Sequence, residues 1–327
     1  MKQVSRILVG IDLHREAPVL LDKAGRLAEA LGASVELYAP VYNSLVSRAH
    51  FREPDALRQA RQRLVDAGLA RLEEMAGGLS VAAGVHCDAS WDHPREEALI
   101  RRALHGGADL VMWATHPDGD RRFHFLSGGD WQLVRHCPAP LLLCAPAPWR
   151  ASPTVVAALD PGHPHGGDSR LDQRILAAAG ALSGAWGGEL RAFHAFEAIA
   201  HGPGPGVHIE LPVDAAEARL ESGRARALES LFKETGVRPD RVDLQEGPPA
   251  DRLPDYCRDV GADVVVMGAI ARNPLGRIFV GSTAERVMHR LPCDLLVIKP
   301  EGFAPPVSET PWTDEQMPGP VVGVPGI

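Results

Sequence analysis

The stretch Ala108-Asp109-Leu110-Val111-Met112 decides the fold, because Ala262-Asp263-Val264-Val265-Val266 repeats its pattern 154 residues later. The alignment continues without a gap, so that residues 138–143 fall opposite residues 292–297. At the front of each half, residues 7–12 match residues 155–160, and both runs end in an aspartate. Self-similarity at a fixed spacing indicates a duplication. The chain is therefore predicted to contain two similar halves of about 150 residues each.

Prolines mark the boundary between the two halves. Pro146, Pro148 and Pro153 can continue neither a helix nor a strand ladder. We therefore expect a first domain over residues 1–147, a proline-rich linker over 148–153 and a second domain over 154–302. Residues 303–327 contain six prolines and three glycines without any regular periodicity, which predicts a poorly ordered tail.

Within each half, short apolar runs alternate with longer stretches of helical periodicity. In the second half the predicted strands cover residues 155–159, 190–196, 242–245, 264–267 and 295–298, and the predicted helices cover 172–182, 214–233 and 250–260. Strands that are buried on both faces and joined by helices are typical of a doubly wound parallel sheet. We therefore predict an α/β protein with two tandem five-stranded sheets. Ligands of such sheets bind at the edge formed by the carboxyl ends of the strands.

The composition excludes several classes of protein. The net charge is −8, and such a chain repels a phosphate backbone, so we expect no direct nucleic-acid binding. The apolar runs are strand-sized, well below the ~20 residues of a membrane span, and residues 1–6 show no signal-peptide pattern. We therefore expect a cytoplasmic protein with no membrane partner. The five cysteines lack CxxC spacing and are expected to be reduced thiols.

A glycine-containing loop follows the fourth predicted strand of the second half. Gly268 ends the strand, Ala271 comes three residues later, and Gly281-Ser282-Thr283 opens a helix after nine further residues. Glycines permit close approach of a ligand to the backbone, and the free amides of a helix N-terminus favour a phosphate. Ser282 and Thr283 either add hydrogen bonds to that phosphate or cap the helix. This loop is therefore the candidate ligand site.

Two arginines beside this loop, and two histidines in residues 161–168, allow more than one interpretation. Arg272 and Arg277 flank the loop and either neutralise a phosphate or belong to a solvated surface. His163 and His165 have no carboxylate or cysteine at a supporting ligand spacing, so no metal centre is expected. No serine or cysteine nucleophile stands at a motif spacing from a histidine, so we expect no catalytic residues.

Both halves resemble domains of the universal stress protein family, and the duplication resembles its tandem-domain type. The resemblance covers residues 4–302 and is strongest over residues 267–283 and 292–300. It implies a flavodoxin-like fold, similar to adenine nucleotide alpha hydrolases, with the halves packed as an intramolecular pseudo-dimer; a homodimer is left open. It also implies a non-catalytic stress-response protein that binds a small molecule and is linked to resistance to stress, including DNA damage. Weak nucleotide hydrolysis is left open.

The nucleotide site of this family maps onto the second half by resemblance. Asp160 ends the first strand and is implied to lie near the adenosine, while Ala195 and Phe196 are implied to form a wall beside the base. The implied phosphate-binding residues are Gly268, Gly281, Ser282 and Thr283. The implied ligand is ATP or another adenine nucleotide, with Mg²⁺. Ala271 replaces the second glycine of the motif, and either a strained positive φ or a methyl group near the phosphates would weaken binding.

The first half lacks this motif. Ala114 and Pro117 stand where the second half has Gly268 and Ala271, and Ser127-Gly128-Gly129 replaces Gly281-Ser282-Thr283. We therefore interpret the first half as a degenerate copy that serves as a structural partner. The last strands, residues 141–144 and 295–298, are expected to pair, because pairing hides two open sheet edges.

Two other functions are left open by the residues. The second half could bind an apolar small molecule, because Val207, Ile209 and Leu211 alternate with polar residues and could line a cavity. The chain could instead act purely as a protein-interaction module. A nucleotide pocket requires Asp160 and Gly281 to converge around open space, whereas an apolar pocket would be covered by residues 207–211.

Overall fold

The computed structural model describes residues 4–15, 17–48, 54–115, 126–161, 170–196, 213–268, 270–272, 278–303, 305–308 and 310. The first half contains β1 (Arg6–Gly10), α1 (Pro18–Leu31), β2 (Ser34–Val41), α2 (Ser44–Arg48), α3 (Pro54–Ala76), β3 (Val85–Trp91), α4 (Arg95–Gly106), β4 (Leu110–Ala114), α5 (Gly128–His136) and β5 (Leu141–Cys144). The second half contains β6 (Thr154–Ala158), α6 (Leu171–Trp186), β7 (Glu189–Phe196), α7 (Val213–Thr235), β8 (Arg241–Glu246), α8 (Pro249–Asp259), β9 (Val264–Gly268), β10 (Ile270–Arg272), β11 (Ile278–Val280), α9 (Ser282–Met288) and β12 (Asp294–Ile298).

Ten of these strands form one continuous sheet, in the order β3-β2-β1-β4-β5-β12-β9-β6-β7-β8. Within each half the five neighbouring strands are parallel, as the alternation of buried strands and helices predicts. The predicted fold class is confirmed. The strand bounds of the second half agree with the sequence prediction to within one or two residues, because fully buried strands are contiguous apolar runs.

The two halves meet through their last strands, as predicted. β5 and β12 pair antiparallel, with Leu143 opposite Leu295 and Leu141 opposite Val297. Every residue of both strands is buried. The pairing removes two apolar edges that would otherwise offer unpaired backbone groups to another chain. The duplication is therefore built as an intramolecular pseudo-dimer.

Alternate residues of the strands face two different layers of helices. In β1, Ile7 and Val9 belong to an apolar cluster with residues of α1, α3, α6 and α7. Leu8 points the other way, into a cluster with residues of α4, α5, α8 and α9. Each cluster contains residues from both halves, so the two cores are continuous across the junction.

The antiparallel junction fixes the relative direction of the strands in the two halves. Because β12 runs opposite to β5, the carboxyl ends of the strands point in opposite directions in the two halves. The carboxyl ends of the second-half strands, where the candidate site lies, are therefore at the same edge of the sheet as the amino ends of the first-half strands.

Three local features extend what the sequence indicates. β10 and β11 form a two-stranded antiparallel hairpin inside the glycine-containing loop, which the sequence analysis did not predict. Residues 145–153 contain neither helix nor strand, as their prolines predict, yet Trp149 is buried between the halves. Phe303 and Val307, at the start of the tail, pack against the apolar cluster of α5 and α9, and residues 311–327 lie outside the described residues.

The five cysteines are free thiols, as the composition predicts. Cys137, Cys144 and Cys257 are buried and unpaired, and burial raises the pKa of the Cys137 thiol to about 11. The Cys137 thiol is therefore protonated and poorly reactive at neutral pH. None of the described helices is long and apolar enough to cross a membrane.

Candidate functional site

Three of the residues assigned to the second-half site lie at the carboxyl ends of three adjacent strands. Asp160 follows β6, Phe196 ends β7 and Gly268 ends β9. β6 lies between β7 and β9 in the sheet, and Ala157 pairs with Val266, so these chain ends reach the same edge. This edge is where open α/β sheets bind ligands.

Asp160 is held in place by residues that the sequence analysis did not single out. Its backbone amide donates to Asp172 Oδ1 at 3.2 Å, in the first turn of α6. His194 is buried, and its Nδ1 donates to the Leu159 carbonyl at 3.0 Å while lying 3.9 Å from Asp160 Oδ1. The Asp160 side chain itself is 44% exposed. The Asp160 carboxylate is therefore exposed to solvent, while its backbone is held in place by a hydrogen bond. Asp172 could have been found from the sequence, because an aspartate in the first turn of a helix is a recognisable signal.

Phe196 and Ala195 differ in what they offer to a ligand. Ala195 is partly buried against the apolar cluster of α8 and α9. The Arg224 guanidinium lies over the Phe196 ring, with Arg224 Cζ 4.1 Å from the ring centroid. The centroid of the His194 ring lies 6.4 Å from that of Phe196. An aromatic ring under a cation is a surface on which a planar base can also stack.

The side chain that approaches Gly268 closely in this structure is that of Leu171. A Cβ at this position would lie 2.7 Å from Leu171 Cδ2, at the start of α6. Glycine at residue 268 therefore lets the first turn of α6 pack against the end of β9. The sequence analysis assigned this glycine to contact with a ligand and missed the Leu171 contact, because the partner is distant in the chain.

Gly281 is the N-cap residue of α9, with φ −64° and ψ 142°. Any residue adopts this backbone conformation, so conformational freedom does not explain the glycine. Among the described residues, none would lie within 4 Å of a Cβ at this position. Ser282 and Thr283 are exposed and form the first two residues of the helix, with no side-chain cap at its start. The alternative that they cap α9 therefore finds no support in the described contacts.

Ala271 lies in β10, where it pairs with Phe279 of β11. No described residue other than glycine has a positive φ, so strain at residue 271, one of the two expected penalties, does not occur. Only the backbone of Arg272 is described. Arg277, His163 and His165, and the segment with Val207, Ile209 and Leu211 lie outside the described residues.

In the first half, side chains of the protein occupy the N-terminus of the corresponding helix, α5. Ser127 Oγ accepts from the Asp130 amide at 3.2 Å, and Asp130 Oδ2 accepts from the Ser127 amide at 2.7 Å. The Glu96 carboxylate lies directly against Gly129, where a Cβ would overlap it. Two carboxylates thus occupy the N-terminus of α5. In the second half, 154 residues later, alanines stand in the places of both: Ala250 for Glu96 and Ala284 for Asp130.

The remaining space in the first half is small. Trp113 lies in β4, where its ring would overlap a Cβ at Gly10, and it donates from Nε1 to Asp130 Oδ1 at 2.9 Å. Asp12 forms an ion pair with Arg95; burial favours a higher pKa, but the His14 amide and Arg95 together hold the pKa of Asp12 below its usual value. The cavity between these residues has a volume of about 110 Å³. Ligand pockets for drug-sized molecules span about 300–1,000 Å³, so the cavity that these described residues enclose is smaller than that range.

Comparisons with known proteins agree with this duplicated architecture. The model of the universal stress protein family matches residues 3–145 and again residues 154–299. The chain belongs to the universal stress protein family.

Relatives of this family resemble the chain along its whole length. It is 25% identical over 315 residues to universal stress protein E of Escherichia coli K12, covering 94% of this chain and 98% of that protein. A Photorhabdus laumondii universal stress protein E is 24% identical over 311 residues, with the same coverage.

Solved structures show the same fold. A protein of unknown function from Pseudomonas aeruginosa PAO1 is 24% identical, with a TM-score of 0.67, covering 91% of this chain and 93% of that one. A universal stress protein from Archaeoglobus fulgidus is 16% identical, with a TM-score of 0.58, covering 91% of this chain and 99% of that one.

Proposed function

We propose that this protein is a non-catalytic stress-response protein that binds an adenine nucleotide, ATP or a relative with Mg²⁺, in its second half only. The first half serves as its structural partner. Membership of the universal stress protein family supports the stress role, and the family resemblance supports a link to resistance to stress, including DNA damage. The proposed site residues are Asp160, Ala195, Phe196, Gly268, Ala271, Gly281, Ser282 and Thr283, with Arg272 and Arg277 beside the phosphates.

The contrast between α5 and α9 carries this proposal. In the first half, Asp130 and Glu96 place carboxylates at the start of α5, where a phosphate would otherwise bind. In the second half, no described side chain lies within 4 Å of a Cβ placed at Gly281, and alanines replace both carboxylates. One half therefore supplies its own anion, and the other is suited to receive one.

Electrostatics favour the second half for the same reason. The first amides of a helix point outward and carry a partial positive charge that stabilises an anion by about 0.3–1 kcal/mol at an exposed site. Ser282 and Thr283 add two exposed hydroxyl groups beside those amides. Asp160 supplies an exposed carboxylate at the same edge, and Mg²⁺ bound to phosphates commonly takes one or two carboxylates.

Calorimetric titration of ATP, with and without Mg²⁺, into the full chain tests the proposal. The informative variant is Gly281→Ser/Ala284→Asp, which reproduces in α9 the Ser127 and Asp130 arrangement of α5. A serine N-cap and an aspartate in the first turn stabilise a helix, so this variant should unfold no earlier than the wild-type protein. It should nevertheless bind ATP at least tenfold more weakly, because its carboxylate takes the place of the phosphate.

Ala70→Asp, on the exposed surface of α3 in the first half, is the matched control, since it adds the same charge away from the site. Equal ATP affinity in the wild type and the double variant would contradict the proposal. So would a folded wild-type protein that binds none of ATP, ADP and AMP at millimolar concentration. The apolar-ligand or protein-interaction alternative would then take its place.

A further inference from the structure

Two of the five cysteines, Cys257 and Cys293, lie together in the second half. Cys257 is in the last turn of α8, and Cys293 directly precedes β12. The Ala262 amide donates to the Cys257 carbonyl at 2.8 Å, and the Asp294 amide donates to the Asp263 carbonyl at 3.1 Å. These two bonds hold the end of α8 and the start of β12 against the same short segment, residues 262–263.

The side chains of the two cysteines share one environment. Cys257 is fully buried in the apolar cluster of α8 and α9, and Cys293, which is partly exposed, packs against that cluster. A hydrogen bond with the Cys257 side chain, together with burial, raises the pKa of Cys293 well above its usual value. The two thiol groups are therefore in contact. Because the Cys293 thiol is protonated at neutral pH and reacts slowly in that form, the pair stays reduced until an oxidant is supplied.

The first half supports this placement with a different pair of residues. Ala103 and Ala139 stand 154 residues before Cys257 and Cys293. Both alanines line one cleft, and the Ala108 amide donates to the Ala103 carbonyl at 3.4 Å, as the Ala262 amide does to the Cys257 carbonyl. The repeated fold thus brings these two positions together in each half, but the sequence places thiols there in the second half alone.

A bond between the two sulfur atoms would enclose a defined segment of the chain. The ring would contain β9, the hairpin of β10 and β11, and α9. The loop over residues 268–283, the candidate ligand site, lies inside this ring. Oxidation would therefore tie together the two ends of the segment that carries the loop.

We propose that Cys257 and Cys293 are a redox-active pair that hydrogen peroxide converts reversibly into a disulfide. The Cys293 thiol loses its proton and its sulfur attacks one peroxide oxygen; the O–O bond breaks, the leaving hydroxide takes up the proton as water, and a sulfenic acid remains. The Cys257 sulfur then attacks the Cys293 sulfur, the S–O bond breaks, and the Cys257 proton leaves with the hydroxide as a second water. Two thiols are oxidised and one peroxide is reduced. The pair does not depend on nucleotide binding.

Tryptic peptide mapping of the full chain after treatment with hydrogen peroxide at pH 8 tests this proposal. Peptide 253–258 should be linked to peptide 291–327, and dithiothreitol should separate them. Cys257→Ala and Cys293→Ala should each abolish the linked peptide, and the first half shows that this fold accepts alanine at both positions. Cys87→Ala is the matched control, because Cys87 is the other partly exposed cysteine; it should leave the yield unchanged.

Urea unfolding gives a second, independent measurement. Closing the ring restricts the unfolded chain, so the midpoint of unfolding should shift upward in the oxidised wild type and stay unchanged in peroxide-treated Cys257→Ala. Absence of the linked peptide in the folded, oxidised wild type would overturn the proposal. Linkage of Cys293 to other cysteines in equal yield would do the same, as would a midpoint that does not rise, because a native contact should form this bond selectively and without distortion.

Discussion

Lys23 and Asp294 form a buried ion pair across the junction of the halves, with 2.8 Å between Nζ and Oδ2. Asp294 also accepts from the Ala145 amide at 2.7 Å and from Trp149 Nε1 at 2.8 Å, while Lys23 donates to the Ala145 carbonyl at 2.8 Å. Lys23 is fully buried and Asp294 is 2% exposed. One carboxylate thus connects α1, the linker and β12. The duplicated position of Asp294 is Pro140, so the junction is asymmetric in its polar contacts.

Asp294→Asn should therefore destabilise the whole chain. Burial raises the pKa of Asp294 to about 6, although Lys23 and the other donors oppose the rise, so this carboxyl group is ionised at pH 7.5. Removing one partner leaves a buried charge without compensation, which costs about 3–5 kcal/mol. Urea unfolding at pH 7.5 measures this loss. Asp255→Asn, which breaks an exposed pair with Arg258, should cost at most about 1 kcal/mol. A loss below about 1 kcal/mol in Asp294→Asn would contradict the expectation.

Lys299 presents the opposite case, a buried cation without a carboxylate partner in the described contacts. It is 1% exposed, donates from Nζ to the Val134 carbonyl and lies 5.0 Å from the centroid of the Phe303 ring. Burial lowers its pKa to about 8. The folded chain therefore releases this proton near pH 8, whereas an unfolded chain holds it to about pH 10.4.

Lys299→Met should change the pH dependence of stability in a defined direction. Between about pH 8 and 10.4 the unfolded state binds more protons at this site, so the contribution of Lys299 to the free energy of unfolding rises with pH. The wild type should gain up to about 3 kcal/mol relative to Lys299→Met across that interval, and the variant should be equally or more stable at pH 7. Denaturant titrations from pH 7 to 10.5 measure this difference. For Lys233→Met, an exposed position on α7, the difference should stay flat. A flat difference for Lys299→Met as well would show that burial does not shift this lysine.

The strands were predictable because their information is local. Val264–Gly268 is a contiguous apolar run, and its repeat 154 residues earlier sets the domain plan and the paired edges. The hairpin Ile270–Arg272 with Ile278–Val280 was missed, since strands of three residues carry too little periodicity to detect.

The site was predictable only in part, because its decisive contacts join distant residues. The sequence located Gly281 and the start of α9, but it could not show that Glu96 lies against Gly129 on the next helix. The contact of Leu171 with Gly268 spans about 100 residues and follows from packing. Motif spacing therefore identified the edge, while the difference between the two halves required the structure.

Gly268→Ala separates the packing role of this glycine from a ligand role. Its Cβ would lie 2.7 Å from Leu171 Cδ2, and overpacking of this kind costs about 1–3 kcal/mol in the free energy of unfolding. Leu171→Ala removes the clashing atoms, so the added cost of Gly268→Ala should largely disappear in the double variant. Urea unfolding of the four proteins of this cycle gives the coupling energy directly. Gly184→Ala, also in α6, is the control: nothing lies within 4 Å of its Cβ, so it should stabilise the helix by up to about 1 kcal/mol. If Gly268→Ala costs the same in both backgrounds, Leu171 is not the reason for the glycine. If the double variant is restored in stability yet still fails to bind ATP, residue 268 also limits the space for the ligand.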